Sequence, residues 1–436
     1  MAPALPLRAR LLYASSSLGT EALSQSRGLW LVYYYAPPDD ADRPQLLPLA
    51  LVGVILFGGR LLESLDDALI GWWSDRTRSR VGRRLPFVLA ATPFMALSSV
   101  LLFAPPEAGR AGTAVWLFLT LELYFLFATL SGGPYEALLP ELARTSSERV
   151  VIVGMRVYLG AAGAGIGLVG SGLLVDAAGF TTMAVVMAVL ALGFRYAGMA
   201  GIWRHAPRAT PPADVPFRAA LRVTFANRHF LRFLPSFVLF QIGFQMVLGT
   251  LPYWVKAELG VEEEGTWVAA LTAVAICSMI ASVPAFALLA RRTSKRYSYG
   301  CAMLGAALVF PLLAAAGTVP GLPDAAELAV LLAVAGVPLA GVYLFPAALT
   351  ADIVDEDALR TRQRREGMYY GAQNFVEKTA TSFAPLALAL ILLLGRSEGD
   401  TLGIRLVGPA AGAAVIVAWL IFRRYDLEDD PATVRA

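Results

Sequence analysis

The sequence predicts an all-α integral membrane protein of twelve spans, and three observations carry that prediction. Of the 436 residues, 57% are hydrophobic and only 16% charged, where a soluble domain carries roughly 25% charged residues. Mean hydropathy is +0.60. The apolar residues are also gathered into twelve long stretches, with basic residues concentrated in alternate gaps. This composition excludes a disordered chain, which would be polar and poor in aromatics. A net charge of +3 gives no electrostatic footprint for nucleic acid. The runs are too long, and lack the alternation, for an outer-membrane barrel. Cys277 and Cys301 lie in apolar segments with neither disulfide nor metal spacing.

Taken in order, the expected spans cover residues 11–35, 46–73, 86–104, 113–139, 150–174, 181–203, 232–256, 266–290, 297–317, 325–350, 367–394 and 404–422. Each is near the twenty or so residues that cross a bilayer. Arg8 and Arg10 precede the first, with no AxA-like processing site, so no cleavable signal peptide is expected. The proline-rich gap 204–231 holds both histidines, His205 and His229. It separates an expected N-terminal bundle, 1–203, from a C-terminal bundle, 232–436, of six spans each. Arg-rich segments at 71–84 and 288–296 follow the second span of each half. Paired six-span repeats around a midplane site are a transporter architecture. Of the 36 Lys and Arg residues, 26 fall at the termini and in the even-numbered gaps, and five in the odd ones. By the positive-inside rule both termini are expected in the cytoplasm, in a multi-pass protein of the inner (plasma) membrane.

Ionisable groups within spans are costly and mark function. The basic ones are Arg27, Arg60, Arg156, Arg195 and Lys378; the acidic ones are Glu21, Glu63, Asp66, Asp67, Glu122, Glu136 and Glu377. No histidine is among them, so any proton must be carried by carboxylates. The densest cluster is RLLESLDDALIGWW (60–73). Glu63 and Asp67, four apart, share one helix face with Arg60 one turn earlier, and Asp66 flanks them. Carboxylates crowded at low dielectric either take up a proton or bind a hard cation through oxygen. Lys378, a dozen residues into its span, is the natural counter-charge, whose ion pair would break when the cation arrives. Glu21 and Arg156 are expected to form the polar part of a substrate pocket. The run Trp30, Tyr33, Tyr34 and Tyr35 is expected as an outer interface belt, and Arg195, eight residues before Trp203, as an arginine snorkelling inward.

The segment GRLLESLDDALIGWWSDRTRSRVGRRLPFVL (59–89) resembles the signature of the glycoside–pentoside–hexuronide:cation symporters, within the major facilitator superfamily. PYEALLPELARTSSER (134–149) resembles that family's loop between spans 4 and 5, FPAALTADIVDEDALRTRQRREGMYYG (345–371) its loop between spans 10 and 11, and NFVEKTATSFA (374–384) its lysine-bearing span 11. The resemblance implies the major facilitator fold of two six-helix bundles. It places the family's cation-binding acids on Glu63 and Asp67, an asparagine position on Asp66, and a cation-site threonine on Thr129. Lys378 falls on the lysine linked to cation and substrate, Glu21 on an acidic sugar contact, and Arg156 at or beside a span-5 arginine. Gln373, in the span of Lys378, is expected with the substrate residues. The chain departs from the family's best-known sugar carrier where Gly132 replaces a span-4 acid and Glu136 an aromatic platform. Asp75, Arg76, Arg83 and Arg84 resemble the superfamily's loop between spans 2 and 3. With Glu141, Arg149, Asp352, Asp355 and Arg365 they are expected to close the inner face through salt bridges.

The expected function is therefore secondary active transport by alternating access: symport of a small solute, a sugar or glycoside, with sodium favoured as the coupling ion and a proton as its alternative. A non-sugar cargo such as a lysophospholipid, or a transport-inactive membrane sensor, are the competing readings. No HExxH or phosphate-binding Gly-Lys motif supports an enzyme. No cofactor is expected; the partners are the solute, a monovalent cation and the lipid bilayer, and the expected state is a monomer.

Overall fold

A computed structural model describes residues 5–39, 41, 43–77, 82, 84–143, 146–205, 225–261, 263–318, 321, 323–361 and 366–427; residues 64–69, 71–76, 140–141, 146–147, 149–150 and 366–367 are described by their backbone alone. The helices are α1 (Leu7–Tyr35), α2 (Leu49–Arg76), α3 (Leu85–Leu101), α4 (Gly109–Ala137), the single turn α5 (Leu139–Leu142), α6 (Ser146–Gly165) and α7 (Ser171–Ile202), then α8 (Arg228–Trp254), α9 (Glu264–Arg292), α10 (Lys295–Leu312), α11 (Asp324–Thr361), α12 (Glu366–Thr381), α13 (Phe383–Leu392) and α14 (Leu402–Phe422). Five-residue π turns, Ile166–Gly170 and Val255–Leu259, continue α6 and α8. There is no β-strand among the described residues, only an isolated bridge between Ser397 and Asp400. Helices are what the bilayer demands, because they satisfy every backbone donor and acceptor within the segment.

By length and hydropathy alone, eight described segments are able to cross a membrane. One of them, Val151–Ile202, has 52 residues, twice what one crossing needs. It breaks at Gly179, where φ is 81° and ψ 171°, a conformation that only glycine adopts without strain. Expected spans 5 and 6 therefore lie on either side of that residue. The charged α1 and α2 and the 17-residue α3 account for the first three spans, and α12 with α13 form the eleventh. Two starts are capped locally, as the four unpaired amides of a helix N-terminus require. The Asn227 side chain accepts from the His229 and Phe230 amides at the head of α8, and Ser294 accepts from the Tyr297 amide at the head of α10.

The chain divides into two compact units, the first comprising Met1–Pro37, Asp42–Asp214 and Glu262–Ala269, the second Pro38–Ala41, Val215–Val261 and Ala270–Ala436. In the first, α1 packs along α6 and α7. Between lipid-embedded helices close approach of backbones replaces the hydrophobic drive, and Gly163 supplies it: a Cβ there would collide with the Leu18 carbonyl of α1. The Asp176 carboxylate accepts from the Gly265 and Thr266 amides at 2.8 and 2.5 Å, capping the first turn of α9. In the second unit, a core of aromatic and aliphatic side chains joins α8, α10, α11, α12 and α14, with Phe233, Tyr299, Phe310, Ile353, Tyr369 and Phe422 all buried.

The contact at Gly163 gives a packing prediction. Gly163→Ala is expected to destabilise the first unit by about 1–3 kcal/mol, the range for overpacking a filled contact. The change reads as a lowered midpoint of thermal unfolding in detergent. Gly154 of the same helix has nothing within 4 Å of its ideal Cβ, so Gly154→Ala serves as the control. Equal behaviour of the two variants would remove the α1–α6 contact from the argument.

Candidate cation and substrate site

Residues Arg60 and Glu63 of α2 form the centre of the first-unit cluster. The Glu63 carboxylate is 6% exposed, and an Oε2 of Glu63 lies 3.6 Å from Arg60 Nη1, an ion pair longer than a hydrogen bond. A second stabilisation of the cations comes from aromatic faces of α4. The Arg60 guanidinium lies 5.3 Å from the Phe125 ring centroid, and that of buried Arg27 lies 4.7 Å from Tyr124 and 5.3 Å from Phe125. Gly59 lets α2 and α4 meet here: a Cβ at 59 would stand 2.9 Å from Glu122 Oε1. Thr129, buried on α4, lies two turns beyond Glu122 on the same face. The register of α2 also puts Asp67 one turn past Glu63. The side chains of Asp66 and Asp67, like those of Asp75, Arg76, Glu141 and Arg149, lie outside the described residues, as do Arg83 and Arg365 altogether.

The second first-unit cluster joins α4, α6 and α1. Arg156 Nη2 donates to Glu136 Oε1 at 2.8 Å, and Arg156 Nε donates to Ser17 Oγ at 3.2 Å. The Glu136 side chain is 55% exposed and that of Arg156 22%, so the pair presents its acid outward. Glu21 belongs to the same neighbourhood, since its Cγ lies 3.5 Å from where a Gly160 Cβ would sit, one turn past Arg156. Gly132 has nothing within 4 Å of its ideal Cβ, so the position of the missing span-4 acid faces open space. Behind the pair, the rings of Tyr13 and Tyr135 stack at 4.7 Å. Each of these tyrosines donates its hydroxyl to the other's main-chain carbonyl.

Two expectations are corrected here. Arg195 does not snorkel: it is 6% exposed, with its guanidinium 4.5 Å from the Tyr135 ring centroid. An aromatic face inside the unit takes the guanidinium instead. Nor are Trp30, Tyr33 and Tyr35 a lipid-facing belt, because all three are fully buried. Their polar atoms are consumed within the fold: Trp30 Nε1 donates to Ser171 Oγ, Tyr33 to Glu264, and Tyr35 to the Leu102 carbonyl, as half-buried Tyr34 does to Phe103.

In the second unit, buried Gln373 accepts from Thr350 Oγ1 at 2.8 Å, and Gln241 Nε2 donates to Glu377 Oε1 at 3.0 Å. Lys378 follows on α12 and is half-buried. Among the residues expected to close the inner face, Asp352 accepts from Lys295 Nζ through both its carboxylate oxygens, at 2.8 and 2.7 Å. Asp355 is exposed on α11, and Arg84 of the first unit donates to the Ala137 carbonyl. Sequence reasoning had not singled out Lys295, nor Asp426, whose Oδ1 lies 2.6 Å from Arg232 Nη1 and 3.0 Å from His229 Nδ1. The hydrogen bond from Arg232 holds the Asp426 carboxyl below its ordinary range.

Helices long and apolar enough to cross a membrane, carrying buried acids and arginines with polar pairs inside each unit, mark a polytopic membrane protein. The chain belongs to the MFS/sugar transport protein family, whose model matches residues 12–397. It is similar to an uncharacterised symporter of Synechocystis, at 24% identity over 80% of this chain and 78% of that protein. It is also similar to the isoprimeverose transporter of Lactiplantibacillus pentosus, at 23% identity over 53% of this chain and 50% of the other. The sodium-dependent lysophosphatidylcholine symporter 1 of Gallus gallus is 21% identical over 98% of this chain and 88% of its own. These relatives are transporters, and the chain is a multi-pass membrane protein of the same family.

Proposed function

We propose that this protein is a sodium-coupled symporter of a small solute, a sugar or glycoside, working by alternating access with both termini in the cytoplasm. The buried Glu63 carboxylate beside Arg60 carries the reading. An intramembrane acid costs several kcal/mol unless it is paired, protonated or coordinating a cation. Glu63, Asp66, Asp67 and Thr129 are proposed as the oxygen-rich cation site. Arg156, Glu136, Glu21 and the open face at Gly132 are proposed to receive the solute. Lys378 and Gln373 are proposed as the second unit's cation- and substrate-linked residues. Three span-2 acids supply more charge than a lone proton acceptor needs, which favours sodium over a proton.

A second cargo reading rests on its own observation. At the position of a sugar-stacking aromatic, the chain carries the exposed acid of a 2.8 Å ion pair. Neighbouring opposite charges fit a zwitterionic headgroup, as on a lysophospholipid, better than they fit the apolar face of a sugar ring. The coupling ion is tested in proteoliposomes loaded against a panel of both cargo classes. Uptake under a sodium gradient, with the proton gradient collapsed, is the expected result. Loss of that uptake, with recovery under an imposed proton gradient alone, would make the carboxylates proton carriers. No uptake of any cargo under either gradient would favour the transport-inactive sensor.

A further inference from the structure

A cavity of about 530 Å³ lies in the first unit between the start of α3 and the last turns of α7, and none of its described lining residues belongs to either polar cluster. Leu89, Tyr196, Met199 and Ala200 make its wall. The one polar group of that wall is used internally, since the Tyr196 hydroxyl donates to the Leu89 carbonyl at 3.0 Å. The wall therefore offers an apolar surface with nothing to ask of a polar ligand. At one end the chain leaves α7 through Trp203, Arg204 and His205, all three exposed and all three lining the cavity. Among the described residues, no acidic side chain lines it. A tryptophan at the end of a membrane helix marks the headgroup level, and a basic residue beside it faces the anionic surface.

We propose that this groove is a binding site for an anionic phospholipid, with an acyl chain along Leu89, Met199 and Ala200 and the phosphate at Arg204 and His205. Charge complementarity selects this occupant. A soluble anion would use the mouth and leave the apolar wall empty, and a lipid without net charge would leave the Arg204 guanidinium uncompensated. The cavity volume is within the 300–1,000 Å³ typical of sites for molecules of drug size, enough for part of one chain. The groove joins α3 to α7, so an occupant would brace the inner ends of two spans that the Tyr196–Leu89 bond already links.

The test uses the full-length protein in phosphatidylcholine nanodiscs with a trace of phosphatidylglycerol or phosphatidylcholine, each bearing the same diazirine-labelled acyl chain. After photolysis, adducts are mapped by peptide mass spectrometry. The expected result is labelling of the peptide containing residues 196–203, about fivefold stronger from phosphatidylglycerol, the factor that ~1 kcal/mol from the one arginine supplies. Arg204→Ala, at an exposed position, is expected to bring phosphatidylglycerol down to the phosphatidylcholine level. Ala200→Trp is expected to fill the groove and remove labelling of that peptide by both lipids. Equal labelling by the two lipids in the wild type, or adducts confined to other peptides, would overturn the proposal.

Discussion

Glu63→Gln is expected to erase the stimulation of transport by the coupling cation while leaving a folded carrier in the membrane. The amide keeps the size and one hydrogen-bonding oxygen but removes the negative charge from a position that is 6% exposed. A hard cation at low dielectric is held far more strongly by a carboxylate's charge than by the dipole of a neutral amide. Coupling between two ligands is typically worth about 1–3 kcal/mol, or 5- to 150-fold in affinity, and the expected loss is that whole factor in the response of solute uptake to sodium. Asp67→Asn should behave in the same way, and Asp66→Asn more mildly, since the resemblance places an asparagine there. Stability offers a readout independent of cargo. A cation that binds only the folded state raises the unfolding midpoint with concentration, and in Glu63→Gln that rise should vanish. A variant whose uptake and unfolding midpoint both answer to sodium as the wild type does would move the cation site away from α2.

The spans and their order were legible in the sequence because the bilayer writes them plainly: some twenty apolar residues at a time, with charges expelled to the ends. The exceptions in α2 and α6 were legible for the opposite reason. Charges retained there at high cost mark function, and Glu63 and Arg156 stand out in the sequence for that reason. Pairing was not legible. Nothing in the spacing of Arg156 says that its partner is Glu136, twenty residues earlier on a different helix, or that Ser17 of α1 completes the contact.

The misread residues share a cause. Arg195 and the aromatic run of α1 were placed by the tendency of such side chains to seek the interface, a tendency that holds when no internal partner is closer. For Arg195 that internal partner is the Tyr135 ring. For Trp30 and Tyr35 the acceptors are Ser171 and the Leu102 carbonyl, 141 and 67 residues away in sequence. Glu122 was visible as an intramembrane acid but had no role, because its approach to α2 depends on the bare backbone at Gly59. Close approaches of this kind are set by a missing side chain, and a periodicity of apolar residues carries no trace of them.

Replacing Arg156 is the change expected to act most strongly on the solute. Its guanidinium spans two helices, with Nη2 on Glu136 of α4 and Nε on Ser17 of α1. The Glu136 side chain is 55% exposed, so its carboxylate is hydrated when the partner is removed, and Arg156→Gln should fold. What is lost is the fixed fork of donors. A hydrogen bond to a charged group is worth about 1.5–3 kcal/mol, which corresponds to a rise in KM of roughly 10- to 150-fold. Arg156→Lys keeps the charge without the fork and should recover only part of the loss. If the contact is equally strong throughout the cycle, the maximal rate at saturating solute should change little. Glu136→Gln then separates the cargo classes. A neutral sugar still finds a hydrogen-bonding amide, so its KM should move only a few-fold. A zwitterionic headgroup loses the acid opposite its ammonium and should weaken by the same 10- to 150-fold. Unchanged KM in Arg156→Gln and in Glu136→Gln, for whichever cargo the panel identifies, would place the solute elsewhere and leave this pair a structural brace between α4 and α6.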